Sequence, residues 1–448
     1  MSSYTDVTIS SEFKNLELAT DATTMREFFQ AGLSRLWGTS LKIGALFIPR
    51  VSSRTLDGFS IQYQMNVQGR SGSSEERIRL SAHLLGPGEP VPDYVGDHSE
   101  NSLIFEKIGL VAPVFPYDPK LPQILEFVTN SFGEYNDQPT CLEPLGADVR
   151  VTDLRVLGYR LERRLSLGLK VAITENSSLT ERRIALKLLK PKASQRLVEN
   201  LAFLQENGFT AKDPDRLTVP KILFSDINFG VIATDWTEGV SIHDIVEPSV
   251  IHEACGSAGE IARKLHAIQA GDQDSRTAQD EIDELERKVS LATRILPQWA
   301  DIFKRSLRSL KEEKHRMNSA PTVVSHRDYY DKQVLYSQNG ATLLDCDSLT
   351  LADPALDVGN FLAHLTLRSL QNPSLREIYT AGALKFLDMY NDTEFDLSDR
   401  INWWKASSLV RLATLYCLRP RWRGLTPALL DEALTITEEN TMVKGRIT

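Results

Sequence analysis

Long apolar runs are missing from this 448-residue chain: none approaches the ~20 residues that cross a bilayer, so no membrane span is expected. The opening, MSSYTDVTIS, lacks the basic and then apolar pattern of a signal peptide, and the cytoplasm is the expected location. Cysteine is scarce. Cys141, Cys255, Cys346 and Cys417 stand far apart with no CxxC pair, which argues against a zinc site or a disulfide framework and for four reduced thiols. Basic charge is also short, with 51 Lys and Arg against 60 Asp and Glu and a formal net charge of −9. Binding to polyanions relies on an excess of cations, so nucleic acid is not an expected partner, although the balance leaves room for a local basic pocket. There is no Walker A loop, GxGxxG, HExxH or GxSxG, which removes several common enzyme classes.

What is present is 42% hydrophobic residues, enough for a substantial core, in a length that suggests two or three structural units. Residues 22–37 carry apolar side chains at helical spacing and predict an amphipathic helix. LKIGALFIPRV, GFSIQYQMNV and ERIRLSAHLL alternate polar and apolar residues between Gly and Ser, predicting an antiparallel meander. PKLPQILEFVTNSFG, with Pro near its start and Gly at its end, predicts another helix. A second strand set follows in VRVTDLRVLGYR, RRLSLGLKVAI and RRIALKLLK. Laying ERIRLSAHLLGP over ERRIALKLLKP puts His83 where Lys187 stands. Residues 1–140 therefore read equally as a degenerate copy of the later unit or as one amphipathic meander resembling another. From Ser194 the pattern is mostly helical, broken by two short strands in KILFSDINFGVIATDW and by strand fragments around an NG turn in TVVSHRDYYDKQVLYSQNGATLLDCDSL. The expected class is α+β.

Phosphoryl transfer asks little covalent chemistry of a protein; it needs phosphate and acceptor oxygen aligned, metal ions on the phosphates, and a carboxylate at the attacking hydroxyl. HRDYYDKQVL places Asp328 two residues after His326 and five before Gln333, and Asp345 follows the NG turn in ATLLDCDSL. This ordering resembles the aminoglycoside phosphotransferase and choline kinase-like family, whose catalytic loop reads H-x-D-x-x-x-x-N and whose metal loop is an apolar run ending in Asp. The resemblance spans roughly residues 142–365, and DCDSLTLADPALDVGN extends it to the family pattern D-x-x-x-x-x-D-P-x-x-D.

The resemblance implies a bilobal protein-kinase-like fold: a small antiparallel β lobe over 141–238, a larger helical lobe over 239–448 holding the catalytic and metal loops, and an N-terminal α/β extension over 1–140. It implies that Asp328 orients and deprotonates a substrate hydroxyl, that Asp345 binds magnesium, and that Gln333, where the family has Asn, is the second metal ligand. Asp347 is a candidate further ligand, and Asp357 a candidate acceptor of backbone hydrogen bonds that hold the catalytic loop. Lys187, a cation in an apolar strand, would meet the ATP phosphates, with Glu199 as its partner on the next helix and Glu206 as the alternative. Adenine would bond backbone groups near Asp235 and Trp236, the latter equally readable as a core residue. No glycine-rich loop stands between the first two strands, where Arg160, Arg163 and Arg164 are the alternative phosphate contacts. His326 is assigned a packing role and His266 a place in the core.

The expected function is an ATP- and magnesium-dependent transferase, a small-molecule kinase with a hydroxyl acceptor; the rival is a nucleotide-binding pseudokinase serving as scaffold or regulator. A protein kinase is disfavoured because no A-P-E motif follows Asp345. The late segment INWWKASSLVRLATLYCLRPRWRG reads as an acceptor-pocket wall or as a helix with a core face and a basic face. The extension is open to capping the site, to specificity or to homodimer formation.

Overall fold

The computed structural model describes residues 7–444 apart from 56, 70–75, 94–98, 133–139, 147, 176–177, 272, 318–320 and 392–396. Strict alternation builds the first meander, β1 (Lys42–Ser53), β2 (Phe59–Gln68) and β3 (Glu76–Leu84). In β2 every second residue, Phe59, Ile61, Tyr63, Met65 and Val67, is buried. Two strands of four residues each, β4 (Ser102–Phe105) and β5 (Leu110–Pro113), complete a sheet of order β1-β2-β3-β5-β4. They are too short to show a period in the sequence. Ahead of the sheet run α1 (Lys14–Ala19) and α2 (Ala22–Leu36), the latter capped by Asp21, whose side chain accepts from the Thr24 N–H at 2.7 Å.

After α3 (Gln123–Phe132) the pattern repeats in β6 (Val149–Arg160), β7 (Arg164–Glu175) and β8 (Ser178–Leu189), followed by α4 (Pro191–Glu206), a two-residue strand β9 (Leu217–Thr218), β10 (Ile222–Asp226) and β11 (Val231–Asp235). The second sheet has the order β6-β7-β8-β11-β10, the order of the first. Register repeats too. His83 of β3 stands between Ser60 and Val111, and Lys187 of β8 stands between Ser166 and Ile232. The sheets differ after their third strand, where the second continues into α4 and the first into the loop beginning GPGEPVP.

The helical part comprises α5 (Pro248–His266), α6 (Ala278–Ile295), α7 (Ala300–Lys314), α8 (Ala355–Gln371), α9 (Arg376–Tyr390), α10 (Ser398–Tyr416) and α11 (Thr426–Lys444). It carries the ribbons that frame the polar loops: β12 (Val240–Ser241), β13 (Val323–Ser325), β14 (Val334–Ser337), β15 (Gly340–Leu343) and β16 (Thr350–Ala352). The α+β, two-lobed expectation holds. No helix among the described residues is long and apolar enough to cross a membrane.

The division at residue 140 does not follow the packing. Leu121, Ile124 and Phe127, around α3, lie in the core of the second sheet with Leu167 and Leu186. The first sheet, in turn, shares one core with the helical lobe: Phe29, Phe59 and Tyr63 are continuous with Leu285, Phe303 and Trp403. Its apolar face is covered by α1 and α2, with Phe29 edge-on to Tyr63 and the Tyr63 hydroxyl donating to the Ala19 carbonyl at 2.7 Å, and through the shared core this unit packs as part of the large lobe.

Candidate active site

The loop 326–333 is held at its base by buried polar groups. Asp357, in the first turn of α8, accepts from the backbone N–H of His326 at 2.6 Å and of Arg327 at 2.8 Å, and the ring of His266 lies 3.3 Å from it. His326 spans to the loop after β15, its Nε2 2.9 Å from the Leu344 carbonyl. Asp331, three residues past Asp328, is buried; burial opposes its charge, yet Arg368 of α8 holds it far below the usual carboxylate range through contacts of 2.6 and 3.1 Å. Two residues of this region, Arg327 (φ 71°) and Asp345 (φ 56°), occupy the left-handed region that side chains rarely adopt. Such conformations persist where surrounding contacts over-determine them, commonly at functional sites.

Asp345 lies at the end of an apolar strand, so its carboxylate is carried into the cleft between the second sheet and the helical lobe. Arg164, opening β7, meets it with both guanidinium nitrogens, at 3.0 and 2.8 Å. Lys187 Nζ adds a contact of 2.9 Å. Burial works against the Asp345 charge, but Lys187 and Arg164 outweigh it and keep the group ionised well below the ordinary range. Asp347 reaches the same guanidinium at 3.5 Å. The charges of Asp345, Asp347 and Asp328 all act on Arg164 and raise it against the effect of burial.

One expected pairing is corrected. Glu199 is exposed on the outer face of α4, where it accepts from Gln195 Nε2 at 2.8 Å, and Glu206 is exposed as well. The inward face of α4 is set by Leu197, Asn200, Leu201 and Leu204, and position 199 falls off that stripe. Lys187 takes Asp345 instead. Helix α4 touches the metal loop through Asn200 Nδ2, which donates to the Cys346 carbonyl at 2.7 Å.

A cavity of about 740 Å³ runs from the hinge to this cluster. Trp236 and Asp235 line its hinge end, and Gln333, Asp345, Lys187 and Arg164 its inner end. Asp235 is already engaged: its N–H donates to the Lys221 carbonyl at 2.9 Å and its carboxylate meets Arg182. Trp236 lies over Gly168 of β7, where an added Cβ would stand 2.8 Å from the ring. The first sheet supplies the opposite wall through Arg50, Gln62 and Arg79. It is tied to the second by Gln62 Nε2 donating to the Tyr159 carbonyl at 2.7 Å.

The turn joining β6 and β7 is braced from outside. Buried Asp118 accepts from Tyr159 Oη and from the Glu162 N–H, both at 2.9 Å. Glu162 is further met by Lys120 at 2.5 Å and His83 at 3.5 Å. Burial opposes its charge, but His83 and Lys120 lower it to about 2. Sequence reasoning did not single out Arg50, Asp331 or Arg368. Burial and the neighbouring Arg160 and Arg419 lower Arg50 to about 10, a cost that signals a place for an anion. The only signal for Asp331 was its position in the loop.

Two carboxylates already share one cation, since Arg164 bridges Asp345 and Asp347. Among the described residues no cluster of three His, Cys, Asp or Glu could hold a metal. Magnesium, however, commonly takes one or two carboxylates and completes its shell with water and phosphate oxygens, so Asp345, with Gln333 lining the same cavity and Asp347 on the same guanidinium, fits it.

Residues 177–395 match the model of the family described as "Phosphotransferase enzyme family". The resemblance to aminoglycoside phosphotransferases is thereby shown over the third strand of the second sheet, the hinge and both polar loops. Among solved structures, the choline kinase LicA from Streptococcus pneumoniae is similar at 13% identity and TM-score 0.45, covering 66% of this chain and 96% of its own. A choline/ethanolamine kinase family protein from Mesorhizobium loti is similar at 15% identity and TM-score 0.44, covering 64% and 88%. An ethanolamine kinase from Plasmodium vivax is similar at 13% identity and TM-score 0.43, covering 73% and 89%. Comparison with curated proteins gives no match.

Proposed function

We propose that this protein is an ATP- and magnesium-dependent kinase that phosphorylates a hydroxyl of a small molecule. The observation carrying this reading is the meeting of Lys187 and Arg164, from the second sheet, with Asp345 from the helical lobe in the cleft beside Asp328. Lys187 and Arg164 hold the phosphates, with Arg160 and Arg50 behind them. With Arg164 engaged by phosphate instead of Asp345, Asp345 and Asp347 would hold the metal, with Gln333 as a further ligand. When bound, ATP supplies the phosphoryl group and magnesium offsets its charge. With the Asp235 N–H already engaged, the backbone from Trp236 to Gly239 is the edge offered to adenine. Asp328 orients the acceptor hydroxyl and takes its proton.

The N-terminal unit's part is to wall the cleft and brace the arginine turn. The shared strand order and register favour its descent from a duplicated sheet. A reducing, cytoplasmic setting suits the four free cysteines, three of them buried.

A second reading, a nucleotide-binding pseudokinase, is favoured by one observation: Arg164 already occupies both oxygens of Asp345. Calorimetry with ATP, with and without magnesium, tests the site. Wild type is expected to bind in a metal-dependent way and Asp345→Ala to lose that dependence; absence of binding under both conditions overturns both readings. ADP release then separates them. Asp328→Asn is expected to bind ATP while slowing release on the order of 10²-fold or more, whereas a pseudokinase shows no release to lose.

A further inference from the structure

Asp328 lines a second cavity, of about 260 Å³, whose lining includes none of the hinge residues. Arg163, Arg276, Arg327 and Arg411 line it against Glu281, Glu284 and Asp328, four guanidinium groups facing three carboxylates. The two glutamates are committed within the wall. Arg276 meets Glu281 at 2.6 Å and Glu284 at 2.7 Å, while Lys288 also takes Glu284 at 2.5 Å. Arg411 donates to Asn360 Oδ1 at 2.6 Å and lies 3.5 Å from Glu281. Three cations thus share two carboxylates before Arg163 and Arg327 are counted.

Those two have no carboxylate in ion-pair contact among the described residues, and both are exposed toward the opening. Their position is fixed by the chemistry around them. Arg163 adjoins Arg164, and Arg327 adjoins Asp328, whose backbone turn Asp357 holds. Partial desolvation and then Arg276 lower Arg327 below its ordinary value despite Glu284 and Glu281 acting the other way, so an anion beside it relieves a repulsion.

We propose that the acceptor is an anionic alcohol, bearing a carboxylate or a phosphate that Arg163 and Arg327 bind while its hydroxyl reaches Asp328. A guanidinium presents paired donors that match either oxyanion. A quaternary amine or a polycationic sugar in the same cavity would face unpaired positive charge. In the transfer the acceptor oxygen gains the bond to phosphorus, the bridging oxygen leaves on ADP with the electron pair of the broken bond, and the hydroxyl proton passes to Asp328. This inference rests on the phosphotransfer reading for its chemistry, but not for its charge preference.

The test uses the full chain, matched acceptors and two readouts. D-Gluconate is set against D-glucose, glycerol 3-phosphate against glycerol, and choline serves as the cation. ADP release is measured with ATP and magnesium, and binding of each compound is measured by calorimetry without nucleotide. At least one anion is expected to exceed its neutral partner by about tenfold or more in release or binding, the scale of charge-assisted hydrogen bonds. The pair that responds distinguishes carboxylate from phosphate. R163Q/R327Q is expected to abolish the preference and R163K/R327K to retain part of it, which keeps the test decisive if the first variant folds poorly. Equal or stronger response to the neutral or cationic compounds, no preference in either pair, or a preference that survives R163Q/R327Q overturns the proposal. If ATP is neither bound nor cleaved, the phosphotransfer reading fails, and the calorimetric arm still decides the charge of the ligand.

Discussion

Lys187 and Asp345, 158 positions apart in the chain, meet at 2.9 Å across the cleft, on the carboxylate oxygen that Arg164 reaches at 3.0 Å. One anion therefore holds two cations from neighbouring strands of the second sheet. Lys187→Ala removes half of this bridge and, on the proposed reading, a phosphate contact. ATP affinity is expected to fall by roughly ten- to a hundredfold, since a hydrogen bond to a charged group contributes ~1.5–3 kcal/mol. Calorimetry checks it, and an unchanged affinity would remove Lys187 from the nucleotide site.

On the proposed reading, Arg164 competes with metal for Asp345 and Asp347. Without nucleotide, wild type is expected to bind little magnesium and Arg164→Gln measurably more, because the bridging guanidinium is gone. The same variant is expected to bind ATP more weakly. Titration with manganese, followed by its relaxation of water protons, reads the first effect; a variant that binds no more metal than wild type would show that the two carboxylates do not form a cation site.

Gly168 gives Trp236 its place at the hinge. Gly168→Ala puts a Cβ 2.8 Å from the indole, so the ring or the strand must shift. A loss of ~1–3 kcal/mol in stability by denaturant titration is expected, the usual scale of overpacking, together with weaker ATP binding. Full retention of both would mean that the ring moves freely.

Glu162 braces the arginine turn only while ionised. Its folded value of about 2 lies below its ordinary 4.5. The unfolded chain therefore binds the proton more readily, and the stabilisation is complete above pH 4.5 and lost as pH falls toward 2. Wild type is expected to exceed Glu162→Gln in stability near neutrality, with the gap closing across that window. Denaturant midpoints between pH 7 and pH 3 check it; a constant gap would assign the effect to something other than the charge.

The first sheet shows why part of the site was hidden. Its three long strands are legible from alternation alone, and so is the alignment of His83 with Lys187. That this sheet and the helices covering it share a core with the helical lobe, and that it presents Arg50 to the cleft, depends on contacts far apart in the chain, which no local pattern encodes. Glu199 failed for a related reason. A helix is readable from its period, but the inward side of α4 was fixed only when Leu197, Leu201 and Leu204 found their partners.

The sequence by itself determined the chemistry held in short stretches: Asp328 and Gln333 on one loop, Asp345 and Asp347 on the next, and Lys187 in an apolar strand, because those spacings survive any packing of the larger parts. Only the tertiary structure decided which charges meet. It gave Lys187 to Asp345 rather than to Glu199, placed Arg164 between two carboxylates, and left Arg163 and Arg327 beside Asp328 with no ion pair among the described residues. Ionic partners are chosen by through-space distance and burial, and these exist only once the sheets and helices have packed.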